Sequence, residues 1–154
     1  MKLKIVLSLV LTLCASWLSA QAPTSTLEYY SLTTNLAWMS VPATTNVSSN
    51  VVAYASYPAP KVIVTNVSGP TVLKYFVTNA ANASGVTTIN ATNMVATGGA
   101  NAYSVSFPIL PSADVYYWIE TLAGVRVLPT NSGEYYGFQI NTGVAWQRKP
   151  AANI

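Results

Sequence analysis

Four carboxylates and one thiol make up most of the reactive inventory of this 154-residue chain: Glu28, Asp114, Glu120, Glu134 and Cys14, with no histidine anywhere. Without an imidazole, neither a Ser-His-Asp nor a Cys-His nucleophilic mechanism can be assembled. Zinc, iron and copper sites are built mainly from His and Cys, and neither occurs after residue 20. What remains is a carboxylate pair. Glu120 and Glu134 have the residue type needed for acid/base hydrolysis of a glycoside. That chemistry also needs a shaped pocket and supporting groups, and the simpler reading is one strand carboxylate and one turn carboxylate. Asp114, just after Pro111-Ser112-Ala113, reads as a turn residue. The expectation is a non-enzyme, with no catalytic residue, no metal and no cofactor.

The N-terminus sets the compartment. Lys2 and Lys4 give a positive start, Ile5 to Leu13 is apolar apart from Ser8 and Thr12, and Ser19-Ala20 supplies small residues. This is the pattern of a secretory signal peptide over residues 1–20, cleaved before Gln21. Its apolar run is shorter than the roughly 20 residues a spanning helix needs. Cys14 follows Leu13, where a lipoprotein signal has a small residue, so it is read as discarded with the leader. The remaining residues, 21–154, are enough for one domain with a real core. No later segment has the length and apolarity of a membrane span. The expected location is secreted, on the cell surface or in the periplasm.

Charge says little about partners. Removing Lys2 and Lys4 takes the seven basic residues to five against four acidic ones, a net charge of +1. No basic patch is left for nucleic acid. Solubility falls to Ser, Thr and Asn. The Asn-x-Ser/Thr triplets at Asn46, Asn66, Asn82 and Asn90 are read as chance in so Asn-rich a chain.

Helical periodicity is missing after residue 20. Short runs rich in Val, Tyr, Thr and Ile alternate with Gly, Pro, Asn and Ser. They predict strands at 27–32, 36–41, 51–56, 62–66, 72–78, 92–96, 103–107, 115–122 and 134–140, with a short edge at 125–128. Thr-Asn recurs between them, at Thr65-Asn66 and Thr92-Asn93 among others. A β-branched residue extends the chain and Asn tolerates the left-handed turn that follows. Many short strands at this spacing predict an all-β antiparallel sandwich.

From about residue 70 to 140 the chain resembles bacterial extracellular immunoglobulin-like or fibronectin type III-like modules. The residues that carry the likeness are Leu73-Lys74-Tyr75-Phe76-Val77, then Asn93-Met94-Val95-Ala96-Thr97-Gly98-Gly99, then Tyr103-Ser104-Val105-Ser106-Phe107-Pro108. Asp114-Val115-Tyr116-Tyr117-Trp118-Ile119-Glu120-Thr121 and Glu134-Tyr135-Tyr136-Gly137-Phe138-Gln139-Ile140 follow. The resemblance implies that three of these runs, 73–77, 115–121 and 134–140, share one sheet. The loop Leu122-Ala123-Gly124-Val125-Arg126 has no carboxylate, which speaks against a calcium site there.

Alternation assigns the faces. Val115, Tyr117, Ile119 and Thr121 fit the core, which sends Tyr116, Trp118 and Glu120 outward. Tyr136, Phe138 and Ile140 fit the core, which leaves Tyr135 and Gln139 outside. Lys74 faces solvent and takes Phe76 with it. Trp118, Tyr116, Phe76 and Tyr135 are therefore the candidate ligand-binding residues, an exposed aromatic platform for a sugar ring or a partner surface. The competing reading is that residues 27–66 cover this face. Two functions follow. One is a secreted, non-catalytic structural or adhesive module that meets a protein partner or itself through sheet edges. The other is a carbohydrate-binding module that stacks a glycan on those rings.

Overall fold

β-branched and aromatic residues favour extended backbone because their side chains pack well on a pleated, half-buried surface. The computed structural model shows how far this governs the chain. It describes residues 20–31, 37–45, 48–53, 58–78, 88–110 and 112–140. These form eleven strands: β1 Thr24–Ser31, β2 Ala37–Pro42, β3 Ser48–Ala53, β4 Lys61–Thr65, β5 Thr71–Thr78, β6 Asn90–Asn93, β7 Val95–Ala96, β8 Tyr103–Ser106, β9 Ala113–Thr121, β10 Arg126–Leu128 and β11 Tyr136–Ile140. Among the described residues no helix is long and apolar enough to cross a membrane.

The strands form the two sheets of an all-β sandwich. The first runs β2-β1-β4-β8-β7, and the second runs β3-β11-β9-β5-β6. β10 pairs with β9 beside Ile119 and Glu120, while β11 takes positions 113–117 of the same strand. Pairing is antiparallel except between β3 and β11, which run parallel. Every expected strand has a counterpart, with boundaries moved by a few residues. The ends of the expected strands at Leu32, Leu36 and 54–56 lie outside the described residues.

Two sequence readings change. The single strand expected at 92–96 is two short strands in different sheets. Met94 marks the crossing: its side chain turns into the core, its N–H donates to the Thr71 carbonyl at 3.0 Å, and its sulfur accepts from Thr71 Oγ1 at 3.3 Å. Asp114 is not a turn residue. It lies in β9, opposite Thr78 on one side and Gln139 on the other.

The core lies between the sheets. Leu27, Tyr29, Val62 and Val64 come from the first sheet, and Leu73, Tyr75, Val115, Tyr117, Ile119, Phe138 and Ile140 come from the second. Phe107, just past β8, joins them. Its ring makes edge contacts with Tyr75 at 5.2 Å, Phe138 at 5.2 Å and Tyr117 at 5.7 Å. Such pairs add to the stabilisation from area burial alone. The turn after β4 uses Asn66 at φ 61°, in the left-handed region that Asn tolerates, and its side-chain amide donates to the Ala22 carbonyl at 3.2 Å.

Candidate functional site

The four candidate rings lie on two strands of the second sheet and at the entry to a third, on the side away from the core. β9 carries Tyr116 and Trp118, β5 carries Phe76, and Tyr135 immediately precedes β11. The register places Phe76 opposite Tyr116 and Lys74 opposite Trp118. The rings form one cluster. Phe76 stacks on Tyr116 at 5.1 Å and 21°, and it meets Tyr135 edge-on at 5.3 Å and Trp118 at 6.4 Å. Trp118 and Tyr135 are 5.3 Å apart.

Exposure differs from the sequence expectation at the central ring. Trp118 points outward by parity, yet only 6% of it is exposed. Phe76 and Tyr135 flank the ring, and Arg126 on β10 also packs against it. Its guanidinium lies 5.0 Å from the Trp118 ring centre and 5.4 Å from that of Tyr135. Its two terminal nitrogens donate to the backbone carbonyls of Glu134 at 2.9 Å and Ser132 at 3.2 Å. Arg126 therefore ties the loop ahead of β11 down onto the sheet. The Trp118 indole N–H donates to Glu120 Oε1 at 2.6 Å, a short charge-assisted bond. Phe76, Tyr116 and Tyr135 stay half-buried.

This geometry sets what the cluster can do. Rings stacked on neighbours across strands use their faces on one another, and the face of Trp118 beneath Arg126 is already occupied. The arrangement is a second, outer hydrophobic cluster with rims at Phe76, Tyr116 and Tyr135. Of the segment expected as a cover, 27–31, 37–42 and 61–65 belong to the opposite sheet and 48–53 extends the edge beside β11, while 32–36, 46–47 and 54–57 lie outside the described residues. Glu120 Oε1 accepts from the Trp118 indole, while Glu134 contributes its backbone carbonyl to Arg126. Among the described residues no three His, Cys or carboxylate groups converge as a metal site would need.

Two further features were not singled out by sequence. One is Arg126, whose register opposite Glu120 was implicit in the short edge expected at 125–128. The other is Trp38 on β2, opposite Tyr30 of β1 and 43% exposed. Apolar residues on both faces of Ala37-Trp38-Met39 hid its parity. Beside it on the same face, Lys61 Nζ and Glu28 Oε2 form an ion pair at 2.7 Å. A cleft of about 420 Å³ also opens at one end of the sandwich, lined by Pro23, residues 66–71, residues 121–123 and Val127. Its lining carries no charged side chain. Comparison of the chain with protein-family profiles, with curated proteins and with solved structures found no match.

Proposed function

We propose that the chain is a secreted, non-catalytic structural or adhesive module of a cell-surface or extracellular assembly. Its finer type, on this reading, is immunoglobulin-like or fibronectin type III-like and its origin is bacterial. The observation that carries the proposal is the strand order. In the immunoglobulin plan one sheet holds strands A, B, E and D and the other holds C, F and G. The order β1-β4-β8-β7 follows the first set and β5-β9-β11 the second, with β2, β3 and β6 as added edges and β10 as a short added strand on β9. Such a sandwich is open at its edges, and an edge presents unpaired backbone groups to a partner strand. Fractionation of expressing cells combined with chemical cross-linking tests the proposal. The expected result is a surface or extracellular protein lacking residues 1–20 and cross-linked to a neighbour. A cytosolic protein that keeps Met1 and yields no cross-link overturns it.

A second reading is glycan recognition by Trp118, Tyr116, Phe76 and Tyr135. The gathering of four rings on one outward face favours it. In this reading Trp118 supports the site from below, and the half-buried rims of Tyr116, Phe76 and Tyr135 make the contact. A glycan array on wild type and Tyr116→Ala, read beside their melting curves, tests it. Binding lost without loss of stability supports the reading. An array without signal for folded wild type removes it.

A further inference from the structure

Among the described residues four strands close the two sheets, and they are not equally protected. β6 is four residues of exposed Asn, Ala and Thr, and β7 is only two residues long. β3 lies on β11, where Gly137 N–H also donates to the Thr44 carbonyl just beyond β2. β2 differs from β6 and β7 in length and from β3 in composition. Like β3 it is six residues long and uncharged, but it reads Ala-Trp-Met-Ser-Val-Pro where β3 reads Ser-Ser-Asn-Val-Val-Ala. Natural edges are blunted by lysine, by proline within the strand, by bulges or by shortness. β2 has only Pro42, at its last position.

Burial along β2 points the same way. Its core-facing residues Met39 and Val41 are half-buried, whereas Leu27 and Tyr29 on the neighbouring strand are 3% and 5% exposed. On the outer face Trp38, Ser40 and Pro42 are exposed. The sheet ends with one strand's worth of apolar surface incompletely covered on each face.

We infer that β2 is a self-pairing edge, at which a second copy of this chain adds its own β2 in antiparallel register to make a continuous ten-stranded sheet. The inference rests on the module reading above and names its partner. The pleat restricts the register, because residues directly opposite must share a face. A two-fold axis therefore passes through a residue pair. With Ser40 opposite Ser40 of the second copy, Met39 meets Val41 on the inner side and Trp38 meets Pro42 on the outer side. Each half-covered residue then gains an apolar neighbour. An isologous contact of this kind closes at two copies. Charge offers no obstacle: β2 is neutral, and the nearby Glu28 and Lys61 are paired within each copy at 2.7 Å.

Sedimentation equilibrium on wild type, Ser40→Lys and Asn93→Lys, over micromolar to millimolar concentration, tests the pairing. Circular dichroism confirms that each variant is folded. Wild type and Asn93→Lys, which alters the β6 edge, are expected to dimerise alike. Ser40→Lys places two like charges opposite each other and is expected to raise the dissociation constant by on the order of tenfold or more. In the protein from Gln21 onward, which has no other cysteine, Ser40→Cys is expected to give a disulfide-linked dimer under mild oxidation. A wild type that stays monomeric throughout, a Ser40→Lys protein that dimerises as wild type does, or a dimer lost only on Asn93→Lys overturns the inference. Retention of monomeric wild type on cell-surface material leaves the adhesive reading in place while removing the self-pairing.

Discussion

Trp118 and Trp38 are the same residue type, both on outward positions of a sheet, and they have opposite fates. Trp118 lies mid-sheet between Phe76, Tyr135 and the guanidinium of Arg126, and is 6% exposed. Trp38 lies on an edge strand with one cross-strand partner and is 43% exposed. Parity decides which side of a sheet a ring takes. The size of its lateral neighbours, and whether a strand stands on both sides, decides whether it meets water. The outer face of the second sheet thus acts as a satellite core, while the edge of the first sheet keeps its apolar surface open.

The largest effect that sharpens this contrast is on Trp118. Trp118→Ala should cost about 3–5 kcal/mol, as for a buried aromatic truncation, and should also free Glu120 and Arg126. Chemical denaturation measures it. A loss within about 0.5 kcal/mol, the range of ordinary surface changes, would mean the outer cluster is not a core.

Arg126→Ala comes next, at about 1–2 kcal/mol from two ring contacts and two carbonyl hydrogen bonds. Arg126→Lys should recover only part of this, because an ammonium cannot fork onto two carbonyls. Near-UV circular dichroism should change with Arg126→Ala, since the Trp118 and Tyr135 rings lose their fixed cover.

Alkaline pH probes the inner core instead. Burial raises the Tyr117 phenol well above its ordinary value of 10.0, and burial also raises Tyr29, Tyr75 and Tyr136. These phenols stay protonated in the fold at a pH where the unfolded chain ionises. The native state then holds more protons, so stability falls as pH rises above about 10 and is flat below it. The Tyr117 hydroxyl lies close to Ser25 Oγ, yet neither makes a hydrogen bond of good geometry. Tyr117→Phe removes a buried, unsatisfied group. It should leave stability at neutral pH unchanged or higher by up to about 1 kcal/mol, and it should flatten the alkaline slope. Urea midpoints from pH 7 to 11 measure both. The smallest effect concerns Glu28 and Lys61. A double-mutant cycle should give about 0.2–1 kcal/mol, falling with added salt.

Much of the fold was legible because strand periodicity is a local signal. The alternation in Val115 to Thr121 and in Tyr136 to Ile140 placed Val115, Tyr117, Ile119, Phe138 and Ile140 in the core, although Thr121 and Tyr136, read the same way, are only half-buried. The same alternation pointed Phe76, Tyr116, Trp118 and Tyr135 outward, and the module resemblance put their strands in one sheet. Alternation was silent on the burial of Trp118, because that depends in part on Arg126, which arrives from another strand by a turn through Gly124 at φ 80°. The switch of sheets at Met94 was equally hidden, since a crossing strand keeps the composition of a continuous one. Trp38 escaped notice because Ala, Trp, Met and Val alternate apolar with apolar, and edge position is a property of topology.

The most direct measurement reads melting temperature and sedimentation together on Trp118→Phe, Trp118→Ala and Trp38→Ala. The account predicts that the Trp118 variants lose stability, alanine more than phenylalanine. Folded Trp118→Phe should still associate as wild type does. Trp38→Ala should melt within the range of a surface change, about 0.5 kcal/mol, and should lose self-association. A destabilised Trp38→Ala that still associates, beside a Trp118→Phe of full stability that does not, would contradict the account.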